Sequence, residues 1–103
     1  MIHIAVTMIV KEGRMSEFIA ACKKLRPLVL EEKGCQGYEY GRDIASPLSI
    51  QEPIDPNRIT LFERWESIEA LKAHMQSPHM KEAGAAMNDL RSSVVARVCE
   101  SAF

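Results

Sequence analysis

Four side chains in FERWESIEALKAHMQSPHM, residues 62–80, are of types that move protons or hold aromatic rings. Glu63 and Trp65 alternate on what reads as a strand, and His74 and His79 follow on helical sequence. Imidazole ordinarily titrates near neutrality, so His74 is a candidate general base. Glu63 lies between Leu61 and Trp65, where a buried carboxylate is costly unless it is paired. It is expected to orient His74 or to share in proton transfer, with a structural pairing as the plainer alternative. Trp65 could stack on an aromatic ligand or simply fill core. His79 falls at the second position of a helix, where the dipole favours a neutral ring that could donate to a ligand. Tyr38 and Tyr40 share one face of an earlier strand. Their hydroxyls could donate to a ligand oxygen, although packing is the plainer role for both.

These residues need elements to position them. Residues 2–11 alternate like a strand: Ile2, Ile4, Val6, Met8 and Val10 on one face, His3, Ala5, Thr7 and Ile9 on the other. Both faces are mostly apolar, which predicts cover on both sides. KEGR turns the chain. Phe18, Cys22, Leu25 and Val29 repeat at helical spacing, which predicts a helix over 15–33 that stops at Lys33–Gly34. Pro27 removes a backbone hydrogen bond and crowds the Lys23 carbonyl, so a kink or short break is expected there. CQGYEYGRDI (35–44) reads as a second strand and ITLFERW (59–65) as a third. Between them, residues 43–58 carry three prolines and little periodicity, as in a lid, a dimer arm or a strand extension. Ser67 is a good N-cap for a helix in which Ile68, Leu71 and Met75 should form the buried centre. His74 should then sit at the margin of that face, on the side of Ala70, reaching a pocket while staying partly wet. Ser77 and Pro78 open a second helix with Met80, Ala83, Met87 and Leu90 as its stripe. SVVARVCE (93–100) closes the chain as a strand.

The order strand, helix, strand, strand, helix pair, strand is the ferredoxin-like βαββαβ plan. It is an α+β fold, one antiparallel four-stranded sheet with helices on one face. No helix is left for the other face, and an apolar sheet face of that size usually meets a partner, most simply a second copy. The chain has 103 residues, enough for a single domain over 1–103 that buries roughly two thirds of its unfolded surface. With 47% hydrophobic and 26% charged residues and a net charge of −1, it lacks the basic stripe of a nucleic-acid binder. No apolar run approaches a membrane span. The first ten residues are expected to be mature structure and not a signal peptide. Cys22, Cys35 and Cys99 are odd in number and fit no metal spacing, as expected of reduced, buried thiols in a cytoplasmic protein. No metal cluster, glycine-rich phosphate loop, nucleotide fingerprint or nucleophile triad is evident, so no cofactor and no metal are expected.

FERWES, EALKAH and SPHM, with KEGRMSEF and EEKGCQGYEY, resemble the antibiotic biosynthesis monooxygenase domain, and within it the small quinol monooxygenases. The resemblance spans about residues 2–98. It implies a dimeric α+β barrel in which two sheets pack through their helix-free faces. It also implies oxygen-dependent oxidation of a small aromatic phenol or quinol to a quinone without a bound cofactor. The substrate supplies the electrons; the protein supplies a dry pocket, a base, and donors for the phenolate. His74 would be the base and Glu63 its partner. Trp65, Tyr40, Tyr38, Thr7 and His79 would hold the substrate. The haem-degrading relatives have a ligating histidine where Gly84 stands, an asparagine at Thr7 and a tryptophan at His74. All three differ here, which argues against haem degradation. A branch that isomerises phosphorylated sugars shares the H…[ST]-P-H pattern. An isomerase of a small hydroxy-carbonyl compound, or a non-catalytic dimer that binds an aromatic ligand, therefore stays open beside the monooxygenase.

Overall fold

The alternation of residues 2–10 becomes the central strand of the sheet. In a computed structural model that describes Met1–Phe103, β1 (Ile2–Val10) is followed by α1 (Met15–Leu30), β2 (Cys35–Arg42) and β3 (Arg58–Trp65). Then come α2 (Ile68–Met75), α3 (Pro78–Asn88) and β4 (Arg91–Glu100). The strands form one antiparallel sheet in the order β2-β3-β1-β4, the ferredoxin-like arrangement. No helix is long and apolar enough to cross a membrane.

One face of the sheet is core. Ile2, Ile4, Met8 and Val10 of β1 are buried with Ile59, Leu61, Glu63 and Trp65 of β3, as their spacing of two requires. Phe18, Cys22, Leu25 and Val29 of α1 close over them. The register sets Tyr38 and Ile4 on either side of Glu63, and Val98 beyond Ile4, in one row on the core face. The other face, with Ala5, Thr7, Phe62, Arg64, Val95 and Cys99, is exposed in the single chain.

Four local expectations change. Helix α1 runs unbroken through Pro27 and ends at Leu30, short of Lys33. Gly34, at φ 86°, then makes the turn into β2. Its carbonyl accepts from the Glu66 amide at 2.8 Å, which ties this turn to the start of α2. His74 is not marginal: it is 2% exposed and the only fully buried residue of α2, whereas Ile68 and Met75 are exposed. The helix is rotated so that Ala70, Leu71 and His74 face inward, because the partners of His74 lie beneath it. Cys99 is exposed on the open sheet face instead of buried.

Residues 43–58 stay irregular, yet they are clasped. Arg58 meets Asp43 at 2.7 Å, and Asp43 also accepts from the Asp55 amide at 2.9 Å. Beyond the clasp, Ile44, Leu48, Ile50 and Ile54 are exposed.

Candidate functional site

Four separate elements bring the polar residues together. The turn after α1 supplies Glu32, β3 supplies Glu63 and Trp65, and the two short helices supply His74 and His79. Ser67 caps α2 by accepting from the Ala70 amide, and Ser77 caps α3 by accepting from the Met80 amide. The caps fix where each short helix begins, and therefore which way each imidazole points.

His74 Nδ1 lies 2.7 Å from Glu32 Oε2. A carboxylate oxygen only accepts, so Nδ1 carries the hydrogen and Nε2 of the neutral ring is left as an acceptor. His79 Nε2 reaches the same Glu32 oxygen at 2.9 Å. Glu63 does not bond to His74: its Oε1 lies 3.9 Å from His74 Nε2, an ion-pair separation too long for a hydrogen bond. Glu63 Oε1 instead accepts from Trp65 Nε1 at 2.9 Å. The Trp65 ring stacks on His74 with centroids 4.5 Å apart, and Tyr38 approaches His74 edge-on at 5.7 Å. The imidazole is thus wedged between two aromatic rings and anchored through one nitrogen.

Burial raises the Glu63 carboxyl above its ordinary value, against the Trp65 hydrogen bond and the nearby His74, which lower it. Burial likewise raises the Tyr38 and Tyr40 hydroxyls, so both keep their protons and act as donors. The Cys22 thiol is pushed up to about 11, chiefly by burial, and is a core group.

A cavity of about 360 Å³ lies between the sheet and the helices, a size suited to a small aromatic molecule. Its polar wall is Tyr38, Tyr40, Glu63, His74 and Arg91; Met8, Leu61, Met80, Met87, Val94 and Val98 contribute much of the apolar wall. It exists because the helices cover β2, β3 and β1 but leave the core-side residues of β4 partly uncovered, with Val94 and Val98 about half exposed.

Of the seven residues expected at the site, four line this cavity: His74, Glu63, Tyr38 and Tyr40. Three do not. Trp65 is fully buried behind His74 and supports the site without facing it. His79 lies against Glu32 and faces a separate groove beside α1. Thr7 points to the opposite sheet face, paired with Thr60, as the alternation of β1 demands.

Two residues were missed. Glu32 carried a signal: it follows Glu31 just past a helix C-terminus, where the dipole disfavours an anion. Such a carboxylate needs a cationic or donor partner nearby. Arg91 carried none. Its guanidinium donates to Asn88 Oδ1 at 2.9 Å, yet its buried Nε has no partner. On the cavity wall it is a free donor beside whatever enters.

A ferredoxin-like α+β domain with an apolar cavity, a carboxylate-anchored imidazole and two protonated tyrosines is the class so defined. The chain belongs to the antibiotic biosynthesis monooxygenase family, whose model matches residues 1–86. It is 48% identical over 58 residues to "Probable quinol monooxygenase YgiN" of Escherichia coli (strain K12), covering 56% of this chain and 55% of that protein. The match thus spans about half the length of that relative. Among solved structures, a conserved protein from Methanosarcina mazei Go1 superposes with a TM-score of 0.83 at 23% identity, over 95% of this chain and 89% of that one. Rv0793 from Mycobacterium tuberculosis gives 0.84 at 21% identity, over 99% and 95%. Likeness at those identities shows the fold alone.

Proposed function

We propose that this protein is an oxygen-dependent monooxygenase that converts a small phenol or quinol to a quinone, working as a homodimer and without a bound cofactor. The observation that carries this reading is the His74 imidazole, held through Nδ1 by Glu32 with Nε2 turned towards an apolar cavity. Nε2 takes the proton of the substrate hydroxyl. The resulting anion is electron-rich enough to pass an electron to dioxygen. For an unsubstituted ring position the balance is one phenol and one O₂ to one quinone and one water, or one quinol and one O₂ to one hydroxyquinone and one water. Tyr38 and Tyr40, protonated by virtue of burial, donate to the phenolate oxygen, and Arg91 offsets developing negative charge. Glu63, with a raised carboxyl, passes or holds a proton beside Nε2. Membership of the family and the likeness to a relative named as a quinol monooxygenase support the same chemistry.

The test is oxygen uptake in metal-free buffer with a panel of reduced quinones and polycyclic phenols, followed by mass spectrometry of the products. Uptake above the buffer control is expected with at least one substrate. His74→Ala should lower it at least tenfold, within the roughly 10²–10⁴ contributed by general bases. Wild-type rates equal to buffer across the panel would overturn the reading.

Arg91 favours one second reading, an isomerase of a small phosphorylated hydroxy-carbonyl compound. Its unpartnered Nε would donate to a phosphate oxygen, and His74 would move a carbon-bound proton. Turnover under nitrogen separates this from the first, since an isomerase consumes no oxygen.

A further inference from the structure

We propose that Glu32, His74 and His79 form a binding site for a divalent transition-metal ion, with zinc the best match, and that occupancy withdraws His74 from service as a base. The ligand atoms are Glu32 Oε2, His74 Nδ1 and His79 Nε2. They come from three different elements and lie within 4.8 Å of one another. Two imidazoles and one carboxylate, with a fourth position left to water, are the ligand set of open zinc sites.

The geometry needs a small adjustment. Both nitrogens lie 2.7 and 2.9 Å from the single oxygen Oε2. Tetrahedral coordination with bonds near 2.0–2.1 Å separates ligand atoms by about 3.3 Å, so the two nitrogen–oxygen separations must open by about 0.5 Å, and the two nitrogens, which lie within 4.8 Å of each other, must settle at that same spacing. Glu32 and His79 are able to yield, because their side chains are 15% and 23% exposed, and the same exposure gives the ion its way in. His74 is the fixed point.

A second observation points the same way. Metal-bound imidazoles nearly always offer their other N–H to a carboxylate, a backbone carbonyl or water. Glu63 Oε1 already stands 3.9 Å from His74 Nε2, on the far side of the ring from Glu32. The metal would take Nδ1, the ring hydrogen would move to Nε2, and Glu63 would accept it. An acceptor facing the cavity would thereby become a donor. This consequence alone rests on the proposed function; the binding site does not.

Calorimetric titration of chelator-treated protein with zinc chloride tests the site. Saturable binding of one ion per chain is expected. Glu32→Gln and His79→Ala should each weaken it at least about tenfold, the lower bound set by loss of groups that merely orient a ligand. His3→Ala, whose imidazole bonds to Ser101 on another part of the surface, should leave it unchanged. Circular dichroism checks that each variant is folded. Long-range proton–nitrogen spectra should show the His74 hydrogen shift from Nδ1 to Nε2 on zinc addition. Absence of saturable binding, affinity undiminished by either ligand substitution, or an unmoved His74 hydrogen overturns the proposal. None of these readouts depends on turnover, so its failure is told apart from failure of the monooxygenase reading.

Discussion

At the scale of single residues, Glu63 and His74 are neighbours that do not share a hydrogen bond, and each is held by something else. Glu32 holds His74, and the indole of Trp65 holds Glu63. This division of labour explains why the carboxyl of Glu63 is raised: burial outweighs one neutral donor and one imidazole at 3.9 Å. The consequence for stability has a definite sign. With its folded pKa above the ordinary 4.5, the native state keeps the Glu63 proton after the unfolded chain has lost it. The favourable contribution is therefore complete below pH 4.5 and is lost as pH rises through the folded value. Glu63→Gln cannot ionise and escapes that loss. Unfolding free energies from urea titrations, taken from below pH 4.5 to neutrality, should show wild type falling relative to Glu63→Gln. The steepest slope for one proton is about 1.4 kcal/mol per pH unit. A difference that is flat with pH, or that grows in favour of wild type, would contradict the raised carboxyl.

At the scale of elements, the site depends on how one turn is pinned. Gly34 turns the chain at φ 86°, and a Cβ placed there would lie 2.7 Å from the Cβ of Ala70. The close approach brings the end of α1 against α2, and with it Glu32 against His74. Gly34→Ala is expected to destabilise the protein by more than the roughly 1–2 kcal/mol of a left-handed alanine, since the clash adds to it. Urea unfolding measures this, and a variant within experimental error of wild type would show that the turn is not so constrained. The strands were legible in the sequence because a period of two leaves one choice of face once a few apolar residues are placed. The same alternation put Thr7 on the outer face; only the family resemblance drew it towards the pocket. The setting of α2 was less legible. In eight residues, Ile68, Leu71 and Met75 make as good a stripe as Ala70, Leu71 and His74. What decides between them is Glu32, 42 residues away in the chain, and contacts at that separation leave no mark in local periodicity. Trp65 was legible as packing, and its partner Glu63 as a carboxylate in need of a donor. The donor itself, two residues along the same face, was hidden by the expectation that Glu63 would serve His74.

At the scale of the molecule, one sheet covered by helices on one side accounts for a thinnest dimension of 19 Å, and it leaves a whole face unfinished. Phe62 and Val95 stand 55% and 68% exposed there, near Arg64 and Arg97. The clasped segment 43–58 adds Ile44, Leu48, Ile50 and Ile54 to the apolar surface, held out by the Arg58–Asp43 pair. Large exposed apolar patches of this kind mark contact surfaces. A second copy, packing face to face through the sheet, buries both patches symmetrically and is the arrangement proposed above. Sedimentation or light scattering should then give twice the 11.6 kDa of one chain. Phe62→Arg would set a third cation among Arg64 and Arg97 at the centre of the seam. Loss of a central aromatic anchor commonly costs 2 kcal/mol or more, so its dimer dissociation constant should rise at least about tenfold. Replacing Ile50 and Ile54 by serine should weaken the dimer without disturbing the sheet, which separates the role of the arm from that of the face. A monomeric wild type in dilute solution would overturn the proposed arrangement. A dimer indifferent to Phe62→Arg but sensitive to the serine pair would instead place the seam on the arm alone, and the helix-free face would then need another occupant.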